Sequence, residues 1–387
     1  MRKIAPLKVA PEVKVATRPV SKLVSLGMLV LAFVCAFALF GCAQTSDGLK
    51  IAIVTSPSGV DDGSFNQNNY EGINAFIANH STASVVAVRE QIPANAVPAV
   101  EAIVADYDVI VTPGFQFAGI AELARANPDK YFILVDSFPT DANQEEVQVE
   151  NIYAMQFAEQ ESGFFAGIAA AMQTKSGKVA SVHGIAYPSN VNYQFGFECG
   201  VNYANKHLGT SAQVVALPSY AGTDVTGANV GGNYVGDFSD EATGKIVGES
   251  LLAEGVDIIF VAAGASGNGV FTAVKENGNA FVIGCDVDQY NDGINGSSNI
   301  VLTSALKIMA PNVTKQLNAI DAGSFKGANE VLTAQTDSTG YVKTSGRHQL
   351  TPETIKALDD AYAKVKSGDI VPASNFNGST PMTFKGL

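Results

Sequence analysis

Apolar positions in this chain fall into short β-branched and aromatic runs, each followed by a longer stretch in which apolar residues recur at helical spacing. The run over residues 50–56, KIAIVTS, predicts a buried strand. Ser56-Pro57-Ser58-Gly59 is turn material, and an amphipathic helix opens near Asn69 with Ile73, Phe76 and Ile77 on one face. Further strands are expected at 85–88, 108–112 and 131–135, with helices at 96–105 and 120–126. An acidic surface excursion follows at 145–150, then a helix over 157–172 in which Gly163, Ala166, Gly167, Ala169 and Ala170 permit close packing. The alternation then restarts, with strands at 178–182, 213–216, 257–261 and 280–283 and helices at 193–206, 241–254 and 270–276.

Buried strands separated by helices predict an α/β fold of two similar lobes, each a mostly parallel sheet flanked by helices. A later strand at 300–303 and a helix at 309–320 are expected to return to the first lobe, and multiple crossings would make a hinge. The expected division is 50–155 with about 290–322 for the first lobe, and 156–289 with about 323–387 for the second.

The N-terminus follows a different pattern. Arg2, Lys3, Lys8, Lys14, Arg18 and Lys22 precede an uncharged run over 23–40, the layout of an export signal. Leu39-Phe40-Gly41-Cys42 resembles a lipobox, although Phe40 is bulkier than usual there. Residues 1–41 are therefore expected to be a cleaved signal, Cys42 a lipidated residue and 42–49 a tether; a membrane-spanning helix is the alternative. Removing 1–41 takes away six basic residues and one acidic one, moving the formal charge from −13 to −18. Such a field disfavours nucleic acid and anionic head groups as partners of the body. Cys199 and Cys285 each sit within an apolar element and are expected to be separate buried thiols, with one disulfide as the alternative.

Candidate chemistry concentrates in residues 61–72, DDGSFNQNNYEG, at a strand-to-helix turn where open α/β sheets bind ligands. Asp62, Ser64, Asn66 and Asn68 supply donors and acceptors, and Phe65 and Tyr70 supply flat apolar faces. The mixture suits a neutral, ring-containing, hydroxylated ligand; a capped helix with a solvated turn is the alternative. Gly264-Ala265-Ser266-Gly267-Asn268-Gly269 lies between a strand and a helix, so its amides can approach a ligand. Its spacing is neither the dinucleotide fingerprint nor a nucleophile elbow. His80, His183, His207 and His348 lack metal-ligand spacing, and a calcium-loop likeness at 286–297 has Tyr290 in place of an oxygen ligand. No metal, cofactor or catalytic pair is expected.

Taken in order, DDGSFNQNNYEG, Gly114-Phe115-Gln116-Phe117, FILVDS at 132–137, GFECG at 196–200, YVGDF at 234–238, AAGASGNGV at 262–270, IGCDVDQ at 283–289 and LTSALK at 302–307 resemble the basic-membrane-protein family of exported lipoproteins. The resemblance runs from about Lys50 to the C-terminus. It implies a type I periplasmic-binding-protein-like fold and a lipid-anchored monomer on the extracytoplasmic face of the cell membrane. Its implied partners are a purine nucleoside and the permease subunits of an ABC importer. Position by position, it implies ligand contacts from Asp62, Asn66 and Tyr70, with Tyr70 stacking on the base and Phe238 and Tyr193 opposing it. Asp286 and Lys307 would hold the ribose, and the Gly264 and Ser266 region would supply close contacts. An aspartate that reads the purine edge in the family falls at Gly119 here, leaving Asn66, Asn68 or Gln116 for that task unless the preferred base differs. Core packing for Tyr193 and a structural hinge ion pair for Asp286 and Lys307 are the competing roles. A sugar or signalling ligand, or a nucleoside-cleaving enzyme on the same scaffold, are the competing functions.

Overall fold

The computed structural model describes residues 48–387, so the expected signal, Cys42 and most of the tether lie outside the described residues. The chain runs β1 (Lys50–Thr55), α1 (Phe65–Ile77), β2 (Ser84–Arg89), α2 (Ala96–Glu101), β3 (Val109–Pro113), α3 (Ala121–Ala126), β4 (Tyr131–Val135) and β5 (Ile152–Phe157). It continues through α4 (Glu159–Gln173), β6 (Lys178–His183), α5 (Pro188–His207), β7 (Gln213–Val214), α6 (Glu241–Ala253), β8 (Ile258–Ala262), α7 (Ser266–Asn277), β9 (Phe281–Asp286) and β10 (Val301–Lys307). Last come α8 (Met309–Asp321), β11 (Ala328–Leu332), β12 (Thr339–Tyr341) and α9 (Pro352–Lys366).

Two six-stranded sheets organise these elements. The first has the order β11-β5-β4-β3-β1-β2 and is parallel throughout. The second has the order β12-β10-β9-β8-β6-β7 and is parallel except for the antiparallel edge strand β12. Helices cover both faces of a parallel sheet, so its central strands read as unbroken apolar runs: every residue of β3 and β8 is buried. Among the described residues no helix is long and apolar enough to cross a membrane.

The late strand departs from expectation. β10 pairs in parallel with β9 in the second sheet and does not return to the first lobe. Only α8 returns: Thr314 Oγ1 donates to Gly72 O of α1 at 2.7 Å, and Ala310 N donates to Asn68 Oδ1 at 3.1 Å. β11, expected with the second lobe, pairs with β5 at the edge of the first sheet. The chain therefore passes between lobes three times, after β5, between β10 and α8, and after β11. A buried apolar strand carries the same pattern in either sheet, so periodicity does not say which one receives it.

The glycines of α4 do serve close packing. A Cβ on Gly167 would lie 2.1 Å from Phe197 O, and one on Gly200 of α5 would lie 2.1 Å from Phe164 O. The two backbones touch, and this contact fixes the start of α5, including Tyr193, beside the ends of β9 and β10.

Candidate functional site: a crevice between the lobes

Carboxyl ends of strands from both sheets converge on one crevice, as the architecture dictates. About 570 Å³ of space lies within it, open solvent at its mouth included. Its two ends differ in chemistry.

One end is ionic. Asp136 follows β4 and Asp286 ends β9, equivalent places in the two lobes, and both adopt the left-handed backbone region at φ 64° and 66°. Such a conformation is uncommon outside glycine, and Asp is among the residues that tolerate it. Between them lies Lys307, at the end of β10 and 3% exposed. Its Nζ donates to Asp136 Oδ2 at 2.6 Å and stands 3.5 Å from Asp286 Oδ1 and 3.7 Å from Glu159 Oε1. Burial alone would lower the Lys307 pKa, but Asp136, Asp286 and Glu159 outweigh it and hold the ammonium above the ordinary lysine value. Burial likewise pushes Asp136 up more than Lys307 holds it down. Glu159, raised by burial and then by the charge of Asp136, reaches about 8 and so carries a proton at neutral pH. That proton leaves at most one uncompensated negative charge in the cluster.

Asp286 is well supplied with donors. Tyr193 Oη donates to its Oδ1 at 2.9 Å, and Ser64 Oγ donates to its Oδ2 at 3.0 Å from the other lobe. Asn66 Oδ1 is buried without a hydrogen-bond partner, and the Ser189 hydroxyl lies beside the Asp136 carboxylate; both Asn66 and Asp136 border the crevice.

The other end is aromatic. Phe115, from the first lobe, packs against Tyr187 of the second at a ring separation of 5.3 Å, and Tyr187 packs against Phe238 at 5.9 Å. Glycine makes room for Phe238, since a Cβ on Gly184 would fall 2.2 Å from its ring. Gly264 sits at φ +55° against the Phe238 backbone and borders the crevice. Ser58 Oγ donates to Phe238 O at 2.9 Å, a further bond between the lobes. Phe65 lies below Lys307, with Nζ 4.7 Å from its ring centre.

The nominated residues divide. Asp62, Asn66, Tyr193, Phe238, Gly264, Asp286 and Lys307 border the crevice. The Asp62 carboxylate is committed to the start of α1, accepting backbone N–H bonds from Ser64, Asn66 and Gln67, each at 3.0 Å. Burial still holds it above the ordinary carboxylate range. Tyr70 does not border the crevice. It packs against the core of the first lobe, because α1 begins at Phe65 and not near Asn69. Phe65 and Tyr70 then stand about 140° apart around the helix, and Phe65 takes the crevice side. Ser266 is also not a lining residue: its Oγ donates to Asp237 O and accepts from Asp240 N, both at 2.9 Å, pinning the loop that carries Phe238. Its glycine-rich run is mostly the first turn of α7.

Gly119 is exposed and lies off the crevice, and Asn68 is turned to α8. Asn66 and Gln116 remain at the wall. Sequence reasoning missed Asp136, Glu159, Phe115 and Tyr187. The signal for Asp136 was its place after an apolar strand, the same signal that singled out Asp286. Cys199 and Cys285 are both free, buried thiols.

The Bmp family model, described as ABC transporter substrate-binding protein PnrA-like, matches residues 49–217 and 226–370. A CD4+ T-cell-stimulating antigen of Listeria monocytogenes is 27% identical, over 84% of this chain and 88% of its own. An ABC transporter nucleoside-binding protein BmpA of Lactococcus lactis is 26% identical, over 84% of this chain and 87% of its own. Basic membrane protein A of Borreliella burgdorferi is 28% identical, over 69% and 71%. Among solved structures, an ABC transporter solute-binding protein from Aeropyrum pernix matches with a TM-score of 0.71 at 21% identity, covering 85% of this chain and 94% of its own. At that identity the likeness concerns the fold.

Proposed function

We propose, on the premise that the chain belongs to the Bmp family of PnrA-like ABC transporter substrate-binding proteins, that its crevice binds a purine nucleoside. One observation carries the reading: the crevice is aromatic at one end, with Phe115, Tyr187 and Phe238, and ionic at the other, with Asp136, Asp286 and Lys307. A nucleoside has the same division, a planar base joined to a hydroxylated ring. A relative of similar length is named a nucleoside-binding protein, which supports the assignment. In this reading the lobes close on the ligand and present it to the membrane permease, and no bond is made or broken. Lipid on Cys42 holds the protein at the extracytoplasmic face.

The test is mass spectrometry of small molecules released from protein purified without added ligand, followed by calorimetry with inosine, adenosine, guanosine and the free sugars ribose and galactose. Nucleosides are expected to bind and free sugars not. Phe238→Ala should weaken nucleoside binding about tenfold or more, since base stacking contributes on the order of 1–3 kcal/mol. Preferential binding of a free sugar, or indifference to the loss of Phe238, would sink the reading.

A further inference from the structure

Each six-stranded sheet ends in two edge strands, whose outward backbone groups are a template for another strand unless something blunts them. Three of the four edges are blunted. β7 has two residues, β12 has three that are all buried, and β11 carries Glu330 at its centre, its carboxylate accepting from the Tyr153 hydroxyl at 2.6 Å. β2 is left open. It is six residues long, and its first five, Ser-Val-Val-Ala-Val, hold no charge, proline or bulge. Ser84, Val86, Ala87 and Arg89 are exposed, Val86 by 46%.

The backbone shows which groups are free. Ser84 N donates to Leu49 O and Glu90 N to Thr55 O, both at 3.0 Å, so the even-numbered positions of β2 are bonded to β1. Alternation turns the N–H and C=O groups of Val85, Ala87 and Arg89 outward, and among the described residues no strand lies beyond them. An antiparallel copy of the same edge pairs all three when the two-fold axis passes at Ala87. Ala87 then meets Ala87, and Val85 meets Arg89 in both directions. This register sets exposed Val86 against Val88 of the second copy, a pair of β-branched side chains that suits adjacent strands, and Ser84 against Glu90. Like charges stay apart. The two Arg89 positions are four residues distant along the pair, about 14 Å, and each arginine is matched by its own Asp61 at 2.7 Å. In backbone pairing and in charge the edge is complementary to itself.

We propose that β2 is a self-association edge, through which two copies of this chain join their first sheets into one continuous sheet. The family resemblance implies a monomer, and the pair departs from it. Second lobes lie beyond the carboxyl ends of the first sheet's strands, so antiparallel pairing sends them to opposite ends of an elongated particle. None of residues 84–89 borders the crevice, so the pairing and the nucleoside reading stand or fall separately.

The experiment is sedimentation velocity of the purified protein over a concentration series, with small-angle scattering at its upper end, for wild type and Ala87→Lys. Wild type should approach twice the mass of one chain as concentration rises and scatter as an elongated particle. Ala87→Lys sets two like charges face to face at the axis and should stay monomeric, with an unchanged urea midpoint because Ala87 is exposed. Ala87→Cys supplies a second measurement: α-carbons about 5.5 Å apart are within disulfide reach, so mild oxidation should link two chains. Ser84→Cys, which meets Glu90 of the second copy, should not link. Wild type that remains a monomer at every concentration overturns the proposal. So does an Ala87→Lys protein that still pairs, or Ser84→Cys linking as fast as Ala87→Cys, since either result puts another surface at the contact.

Discussion

Glu159 opens α4 within 3.7 Å of the Lys307 ammonium, and Asn192 Nδ2 donates to its other carboxyl oxygen at 3.0 Å. Asp136 and Asp286 face the same ammonium. Its pKa of about 8 lies above the ordinary value of 4.5. Between those two values the folded protein keeps a proton that the unfolded chain has released, so stability falls as pH rises through that window and levels above it. One proton sets a limit of about 1.4 kcal/mol per pH unit. Urea unfolding at intervals from pH 6 to 9 should show this decline in the wild-type protein and its loss in Glu159→Gln. An identical slope in the variant would show that the proton resides elsewhere. Glu159 was not legible as part of the site, because a glutamate at the start of a helix is ordinary and only tertiary packing sets it beside Lys307.

At the scale of the element, α1 shows why the polar stretch at 61–72 supported two readings. Asp62 has the residue type of a ligand contact but lies two residues before the N-cap Ser64, and its carboxylate accepts from the Ser64 amide and from the Asn66 and Gln67 amides of the first turn. Asp62→Ala should therefore destabilise the protein by about 1–2 kcal/mol, seen as a lower urea midpoint at unchanged slope. A variant as stable as wild type would remove the capping role. The same element explains the exchange of Tyr70 for Phe65: placing the helix start four residues late hides which aromatic faces the crevice. Strand identity was read well from apolar runs, whereas strand partners were not. β10 joins the second sheet beside β9, which brings Lys307 next to Asp286, and that pairing relates segments whose apolar patterns do not name their partners.

Across the whole molecule, three chain passages join the lobes, and polar bonds span them near the crevice. Ser58 reaches Phe238 O, Ser64 reaches Asp286, Lys307 reaches Asp136, and Gln289 Nε2 donates to Gly63 O at 3.4 Å. The two-lobed α/β plan was legible because alternating strand and helix patterns restart midway. The closed arrangement was not, since each of these bonds joins residues from opposite lobes, and hydropathy carries no record of such pairs.

Cys285, 2% exposed at the crevice wall, gives that arrangement a clock. Burial foremost, with the charge of Asp286, keeps its thiol protonated and unreactive while the halves are together. Alkylation by iodoacetamide should therefore proceed at the rate of parting, and bound guanosine should slow it. Cys199, where Ala373 N meets Sγ at 3.3 Å deep in the second lobe, should react only when that lobe unfolds. Peptide mass spectrometry would read both sites in one sample, and equal labelling rates would refute separate motions. Two sulfur atoms thus distinguish a molecule that breathes from one that melts.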